Sequence, residues 1–257
     1  MDATRRCFLK VAGASALAAG TLPLIEALAA QPKAAPNPKA LKAKRWGMVV
    51  DMSKCKEGCT DCMAACHAVH NVPSIPDPKR EIKWIWQDTF EHVFPGQEDP
   101  FLAKNYLGKP FMLLCNHCAN PPCVRVCPTK ATFKRPEDGI VMMDFHRCIG
   151  CRYCMAACPF GARSFNWGDP RLFLKPEKEN PAFPTRTKGV VEKCSFCVER
   201  LSEGLIPACV EACKKNGALI FGDLEDPNSE VRKILAEKFS IRRKAELGTQ
   251  PSVYYIV

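Results

Sequence analysis

Two cysteine runs in the middle of the chain decide its fold: C-N-H-C-A-N-P-P-C-V-R-V-C-P at residues 115–128 and C-I-G-C-R-Y-C-M-A-A-C-P at residues 148–159. The later run has the spacing C-x2-C-x2-C-x3-C-P of a cubane iron–sulfur site, and the earlier run differs by one longer gap. Three close thiolates wrap one corner of a cluster, whereas the fourth lies one helical turn further on and can reach a neighbouring cluster. Two adjacent runs therefore predict two clusters, each with one ligand from the other run.

Two further runs flank this pair and complete the cysteine count. Of the seventeen cysteines, only Cys7 lies outside the four runs, in the N-terminal segment. We therefore expect four [4Fe–4S] clusters. The candidate ligands are Cys55, Cys59, Cys62, Cys66, Cys115, Cys118, Cys123, Cys127, Cys148, Cys151, Cys154, Cys158, Cys194, Cys197, Cys209 and Cys213. A disulfide framework or a zinc site are the alternatives, but neither requires tight cysteine triplets with fixed gaps.

The basic charge of the chain does not by itself indicate a nucleic-acid partner. The formal net charge is +10 when the thiols are counted as neutral. Sixteen thiolates around four cubane cores would add about −8, because each liganded cluster carries about −2. Much of the basic excess is then balanced inside the protein, and we expect no nucleic-acid partner.

No catalytic constellation is evident in the sequence. It has no nucleotide-binding glycine loop, and its histidines lack metalloprotease spacing. His67, His117 and His146 lie beside cluster cysteines, where they either tune a reduction potential or simply pack and solvate loop ends. Gly58 and Gly150 each precede a ligand cysteine, where a backbone amide can approach cluster sulfur. The sequence thus predicts an electron conductor without a substrate site of its own.

Residues 1–30 are predicted to be an export segment. T-R-R-C-F-L-K at residues 4–10 matches the twin-arginine pattern, a mildly apolar stretch follows, and A-L-A at residues 27–29 fits a cleavage site. A retained amphipathic anchor is the alternative. We expect export by the twin-arginine route to the periplasmic face of the cytoplasmic membrane. A Pro/Ala/Lys linker is predicted at residues 31–45.

The remaining residues alternate short apolar segments with loops. Strands are predicted at residues 46–50, 111–114, 140–143, 161–165, 218–221 and 252–257. A helix is predicted at residues 226–239, with Asn228 or Ser229 as its cap, and residues 168–188 are predicted to be a surface loop. Four large aromatics in the cysteine-free segment form either a docking face or a cover over a cluster, and the cover is favoured because large aromatics are usually core. These are Trp84, Trp86, Phe90 and Phe94.

The motif order of residues 46–257 resembles the four-cluster ferredoxin-like subunits of membrane-associated oxidoreductases, such as those of polysulfide, tetrathionate, dimethyl sulfoxide and formate enzymes. The motifs that carry the resemblance are C-N-H-C-x4-C-x3-C-P, C-I-G-C-x2-C-x3-C-P and C-x2-C-x11-C-x3-C. It implies an α+β fold with two ferredoxin-like βαββαβ modules, each binding two [4Fe–4S] clusters, and with loop insertions. The implied parts are an outer module at 46–70 and 186–225, an insertion at 71–110, an inner module at 111–185, and a C-terminal helix and strand at 226–257.

The resemblance also implies which thiols share a cluster. One set is Cys55, Cys59, Cys62 and Cys213, and its partner is Cys194, Cys197, Cys209 and Cys66. The other pair is Cys115, Cys118, Cys123 and Cys158 with Cys148, Cys151, Cys154 and Cys127. The first and last runs depart from the family pattern because His67 and Lys214, rather than proline, follow their last cysteines.

Within the family the chain looks most like the DsrO (HmeA) type of subunit from the sulfite-reduction-associated DsrMKJOP membrane complex. The residues behind this are the twin-arginine leader, C-K-E-G-C-T-D-C-M-A-A-C-H at 55–67 and L-G-T-Q-P-S-V-Y-Y-I at 247–256. This resemblance implies an NrfD-type integral membrane quinone-interacting subunit and a multihaem cytochrome c as partners. An electron-transfer subunit of a molybdopterin reductase, of the polysulfide or tetrathionate type, is the alternative.

Overall fold

The strands and helices of this protein are short, as expected for a chain whose cysteine runs occupy much of its length. The computed structural model describes residues 37–97, 101, 106 and 108–257. The predicted export segment and residues 31–36 of the predicted linker lie outside the described residues. The strands are β1 (Trp46–Asp51), β2 (Ile85–Thr89), β3 (Pro110–Leu114), β4 (Thr132–Lys134), β5 (Val141–Met143), β6 (Ser164–Phe165), β7 (Val191–Glu192), β8 (Leu219–Asp223) and β9 (Val253–Ile256). The α-helices are α1 (Asp61–Val69), α2 (Phe90–Val93), α3 (Pro122–Arg125), α4 (Tyr153–Ala156), α5 (Val198–Ser202), α6 (Ala208–Ala212) and α7 (Glu230–Glu237).

Strand β1 is the centre of a three-stranded sheet in the order β8-β1-β9. It pairs antiparallel with β8 and parallel with β9, and all its residues are buried. Successive side chains of a strand point to opposite faces, so Met48 and Val50 enter the main core while Val49 packs on the other side with Val231 of α7. A strand that is covered on both faces has the continuous apolar sequence that predicted it.

The other strand pairs are two-stranded and antiparallel: β2 with β3, β4 with β5, and β6 with β7. The pair β6–β7 joins Ser164 to Glu192, so it links the predicted inner module to the segment predicted for the outer module. The main core likewise contains Met48, Phe111 and Phe196 together. The chain is therefore a mixed α/β fold, and the division into two separate modules stays a prediction.

The predicted elements are present with shorter bounds at several places. The strand predicted at residues 161–165 is reduced to β6, and the helix predicted at 226–239 is reduced to α7. Ser229 caps α7, because its hydroxyl accepts a hydrogen bond from the backbone N–H of Arg232 at 3.3 Å. In the last cysteine run, α5 and α6 are separated by Gly204, whose φ of 80° breaks the helix.

The large aromatics of the cysteine-free segment belong to the core. Trp84, Trp86, Phe90 and Phe94 are each at most 8% exposed. The indole N–H of Trp84 donates to the Glu192 carboxylate at 2.9 Å, and the ring of Phe90 lies 5.5 Å from that of Phe111. These aromatics are therefore buried core residues and the docking face is wrong, while their role as a cover over a cluster stays a prediction.

The end of the predicted linker contacts the folded part of the chain. The backbone N–H of Leu41 donates to the Leu201 carbonyl at 2.9 Å, and those of Lys44 and Arg45 donate to the Asp223 carboxylate at 2.8 and 3.1 Å. Within the described residues, none of the helices has the length and apolar character needed to cross a bilayer.

Candidate iron–sulfur centres

Each cysteine run folds as a loop that leads into a short helix. Its third cysteine lies in a helix, namely Cys62 in α1, Cys123 in α3, Cys154 in α4 and Cys209 in α6. The fourth cysteine follows four residues later, about 6 Å further along the helix axis. This spacing separates the last thiol of a run from the other three.

The loops between the cysteines use backbone conformations that wrap the chain around a site. His117, Arg152, Phe196 and Cys197 are non-glycine residues with φ values of 40°, 63°, 54° and 52°. Such left-handed residues are costly and cluster where the surroundings impose them. Gly58 and Gly150, the predicted turn glycines, have φ values of 71° and 70°.

Thiol group I contains Cys55, Cys59, Cys62 and Cys213, which line one cavity. It joins the first and last runs, because helices α1 and α6 pack against each other and β1 pairs with β8. Burial, together with the thiols of Cys213, Cys55 and Cys59, raises the pKa of Cys62 to about 12. The thiols are therefore close enough to sense one another's charge.

Thiol group II contains Cys66, Cys194, Cys197 and Cys209, all of them buried. Burial raises the pKa of Cys66 well above the usual thiol range, and charge on Cys194, Cys209 and Cys197 adds to the rise. The Phe196 backbone N–H points at Cys194 Sγ, 3.4 Å away. Cys66 thus leaves its own run and joins three thiols of the last run.

Thiol groups III and IV combine the second and third runs through the packing of α3 on α4. Group III contains Cys115, Cys118, Cys123 and Cys158. Burial raises the pKa of Cys118 to about 12, and charge on the other three thiols adds to the rise. Group IV contains Cys127, Cys148, Cys151 and Cys154, which line a second cavity.

Cys127 of group IV differs from the other thiols. Burial would raise the pKa of Cys127, but hydrogen bonds from the Thr132 backbone N–H, at 3.4 Å, and from Thr129 lower it. Hydrogen bonds that stabilise a thiolate favour the form that binds iron.

Charge interactions connect the four groups one after another, and we call this succession the line of thiol groups. Charge on Cys62 of group I acts on Cys66 of group II, and charge on Cys115 of group III acts on Cys194 of group II. Cys154 of group IV in turn interacts with Cys123 of group III. The order of the groups is therefore I, II, III, IV.

The site has the donor set and the second layer that iron–sulfur clusters need. All sixteen cysteines within the described residues are free thiols. Two buried polar atoms, Nη2 of Arg163 and Oγ1 of Thr249, have no oxygen or nitrogen partner and lie beside the thiols of Cys123 and Cys118. Donors aimed at sulfur are the usual outer partners of such clusters. The residues present therefore fit [4Fe–4S] clusters.

Comparison with known proteins identifies the class of the chain. Two sequence models of protein families, both described as 4Fe-4S dicluster domains, match residues 109–172 and 147–219. The Hdr-like menaquinol oxidoreductase iron-sulfur subunit 1 of Archaeoglobus fulgidus is 44% identical, over 98% of this chain and 97% of that protein. This chain belongs to the family of iron–sulfur subunits of oxidoreductase complexes. Its dicluster domains and sixteen described cysteines account for four [4Fe–4S] clusters.

Two further relatives of this iron–sulfur subunit have different named roles. The menaquinone reductase, iron-sulfur cluster-binding subunit of Nitratidesulfovibrio vulgaris is 40% identical, over 82% of this chain and 88% of that protein. A tetrathionate reductase subunit of Salmonella typhimurium is 36% identical, over all of this chain and 89% of that protein. The family therefore contains iron–sulfur subunits that are named for different oxidoreductases.

The three histidines predicted beside the clusters of this iron–sulfur subunit differ in their surroundings. His117 is buried, stacks on Phe196 with ring centroids 3.7 Å apart, and accepts a hydrogen bond from the Val141 N–H at its Nδ1. Burial, with the charges of Lys193 and Arg163, holds the pKa of His117 well below its usual value. Burial also lowers the pKa of His67. His146 is exposed, and its backbone N–H donates to Asp144.

Three residues beside the thiols escape sequence reasoning. His70 contacts Cys66 Sγ through Nδ1 at 3.5 Å, and its Nε2 lies 2.7 Å from the Glu199 carboxylate. His70 follows the last residue of α1, four residues after Cys66, and this spacing is a signal that could have revealed the contact. Lys193 and Arg163 are buried cations next to the thiol groups. No local pattern marks them, since Lys and Arg are usually exposed.

Proposed function

We propose that this protein is an electron relay that carries electrons through four [4Fe–4S] clusters between two redox partners. The observation that carries this is the line of thiol groups, with partly exposed thiols at both ends. Groups I and IV each contain three half-buried cysteines, whereas every cysteine of group II is buried. Group III lies between these extremes, with two half-buried cysteines. A carrier chain that is more accessible at its ends than in its middle suits transfer between two docking partners.

We propose that each thiol group holds one cluster, which supplies a one-electron carrier when bound. The ligand sets are those of groups I, II, III and IV. The protein's part is to fix the spacing of the groups, to exclude water from the middle of the line and to place N–H donors near sulfur. Nothing in this role requires a substrate site in the chain itself.

The proposed setting is a membrane-bound respiratory complex linked to sulfur or sulfite metabolism, at the periplasmic face of the cytoplasmic membrane. The partners would be an NrfD-type quinone-interacting subunit and a multihaem cytochrome c, as in the DsrO (HmeA) type of complex. The relatives named for menaquinol and menaquinone support a quinone-linked role. The twin-arginine pattern at residues 4–10 supports export.

Purification of the native complex through this subunit tests the proposal. We expect a membrane subunit and a haem protein to co-purify, and menaquinol to bleach the visible iron–sulfur absorbance of the complex. A subunit that is isolated in the cytoplasm with a soluble partner, or clusters that menaquinol never reduces, would contradict it.

The second candidate is the electron-transfer subunit of a molybdopterin reductase of the polysulfide or tetrathionate type. It is favoured by the similarity, along the whole chain, to the tetrathionate reductase subunit of Salmonella typhimurium. Metal analysis of the native complex separates the two, because this candidate predicts molybdenum and the leading one predicts haem iron.

A further inference from the structure

Lys193 is a buried cation in the middle of the line of thiol groups. The residue is 2% exposed, and its Nζ donates to the carbonyl oxygens of Cys194, at 2.6 Å, and of Val141. Both acceptors are uncharged carbonyl oxygens, so these hydrogen bonds do not neutralise a positive charge on the Lys193 amine. Burial of a charge in this way is costly unless an opposite charge lies nearby.

The negative charges nearest to Lys193 are thiols. They belong to Cys115 and Cys123 of group III and to Cys194 of group II. Within the described residues, no carboxylate lies at ion-pair distance from Lys193 or Arg163. The negative charge that balances Lys193 must therefore come from the iron–sulfur groups whose thiols act on it, groups II and III.

Arg163 repeats this arrangement between groups III and IV. Its guanidinium is 5% exposed and donates to Thr132 Oγ1 at 3.0 Å. The thiols that interact with it are Cys123 and Cys115 of group III and Cys154 of group IV. Two buried cations thus each act on two thiols of group III, and Lys193 is shared with group II whereas Arg163 is shared with group IV. A third buried cation, Arg243, acts on Cys158 of the same group.

At group I, no pair of buried cations is found among the residues that the structure describes. The cation that acts on Cys55 of group I is Lys109, which is only half-buried and therefore screened by water. Group III and group I share the same four-thiol chemistry but differ in fixed charge. That difference bears directly on how readily each accepts an electron.

We propose that Lys193 and Arg163 are positioning residues that raise the reduction potential of group III, so that an electron on the relay rests there first. One electron, supplied by dithionite in the test, adds one negative charge at group III, and no bond forms or breaks. Two fixed positive charges in a medium of low dielectric stabilise that added charge. The inference rests on the proposal that group III holds a cluster.

The test is a reductive titration of the intact holoprotein followed by electron paramagnetic resonance. The substitutions are Lys193→Gln and Arg163→Gln, which remove the charge but keep an N–H donor. The matched control is Lys188→Gln, which removes the same charge from an exposed position. The signal of group III is identified by its change in Cys118→Ser.

Both charge-removing variants should shift the group III midpoint to lower potential by at least ~59 mV, a tenfold change in a one-electron equilibrium. Lys193→Arg and the control should leave it in place. An unchanged midpoint in a variant that keeps all its iron overturns the inference. If Lys193→Gln does not assemble its clusters, the other two variants carry the test. An unchanged group III midpoint in Arg163→Gln, or a shifted one in Lys193→Arg, would then overturn the inference. A wild-type protein with fewer than four reducible centres would instead refute the proposed function.

Discussion

At the scale of single residues, the backbone next to the cysteines leaves little room for substitution. Gly150 has a φ of 70°, and a Cβ built on it would lie 2.5 Å from the carbonyl oxygen of Gly189. Gly161 has a similar φ of 64°, but its Cβ would meet nothing within 4 Å. Substitution of Gly161 therefore measures the free-energy cost of the left-handed backbone alone. Substitution of Gly150 measures that cost together with the cost of the steric clash with Gly189.

Gly150→Ala should destabilise the holoprotein by ~2–4 kcal/mol, because it adds a steric clash to the strain of a left-handed residue. Gly161→Ala should cost only ~1–2 kcal/mol, the strain alone. Thermal unfolding of the two variants checks this, together with their iron content. Equal losses in both variants would show that the contact with Gly189 has no importance.

The buried thiols predict that the stability of the protein depends more strongly on pH without iron than with it. Burial raises the pKa of Cys62, Cys118 and Cys194 to about 12. An unfolded thiol titrates near 8.5, so the folded, iron-free chain holds protons that the unfolded chain has released above that pH. The stability that these thiols contribute is complete below about pH 8.5 and is lost as the pH rises toward about 12.

Iron-free protein should therefore unfold at lower denaturant at about pH 10 than at about pH 8. The holoprotein is the control and should change less, because thiolates bound to iron carry no proton to lose. The measurement is the denaturant midpoint at the two pH values, before and after chelation. A midpoint that rises with pH after chelation would be inconsistent with buried, protonated thiols.

At the scale of elements, the loop at residues 168–188 is held by one buried ion pair. The loop is largely exposed, as predicted, but Arg186 is 2% exposed. Its Nε lies 2.7 Å from the carboxylate of Glu192 in β7, and Nη2 donates to the Asn71 carbonyl at 2.7 Å. The pair joins the loop, β7 and the end of α1 in one hydrogen-bonded unit.

Arg186→Met should destabilise the protein by ~3–5 kcal/mol, because it leaves the buried Glu192 carboxylate without its only cationic partner among the described residues. Arg171→Met is the matched control, since Arg171 makes a comparable pair with Asp169 at the surface. Surface pairs contribute little, so the control should unfold close to wild type. Chemical denaturation measures both, and a near-neutral Arg186→Met would refute the role of the pair.

The same elements show what local sequence patterns can and cannot predict. Apolar runs correctly predicted β1, β3 and β9. A strand that is buried on both faces has a continuous apolar sequence, and such a run is visible in neighbouring residues. The bulk of Trp84 and Phe90 predicted core positions correctly. The burial of Arg186 and Lys193 was not predictable, because it depends on partners such as Glu192 and the thiol groups that are distant in sequence.

At the scale of the whole molecule, four thiol groups form one line although their cysteines are scattered along the chain. Spacing alone identified all the candidate cysteines. It could not assign Cys213 to Cys55 or Cys66 to Cys194, since these pairings arise from the packing of α1 on α6 and of β1 on β8. The sequence therefore predicts the chemistry of the site, and the fold decides the order of the carriers.

Iron and acid-labile sulfide per chain in anaerobically purified protein test this account most directly. Four [4Fe–4S] clusters predict about sixteen iron atoms and about sixteen sulfides in each chain. A protein that keeps its fold with about eight of each, or that holds zinc in place of iron, would contradict the line of four carriers.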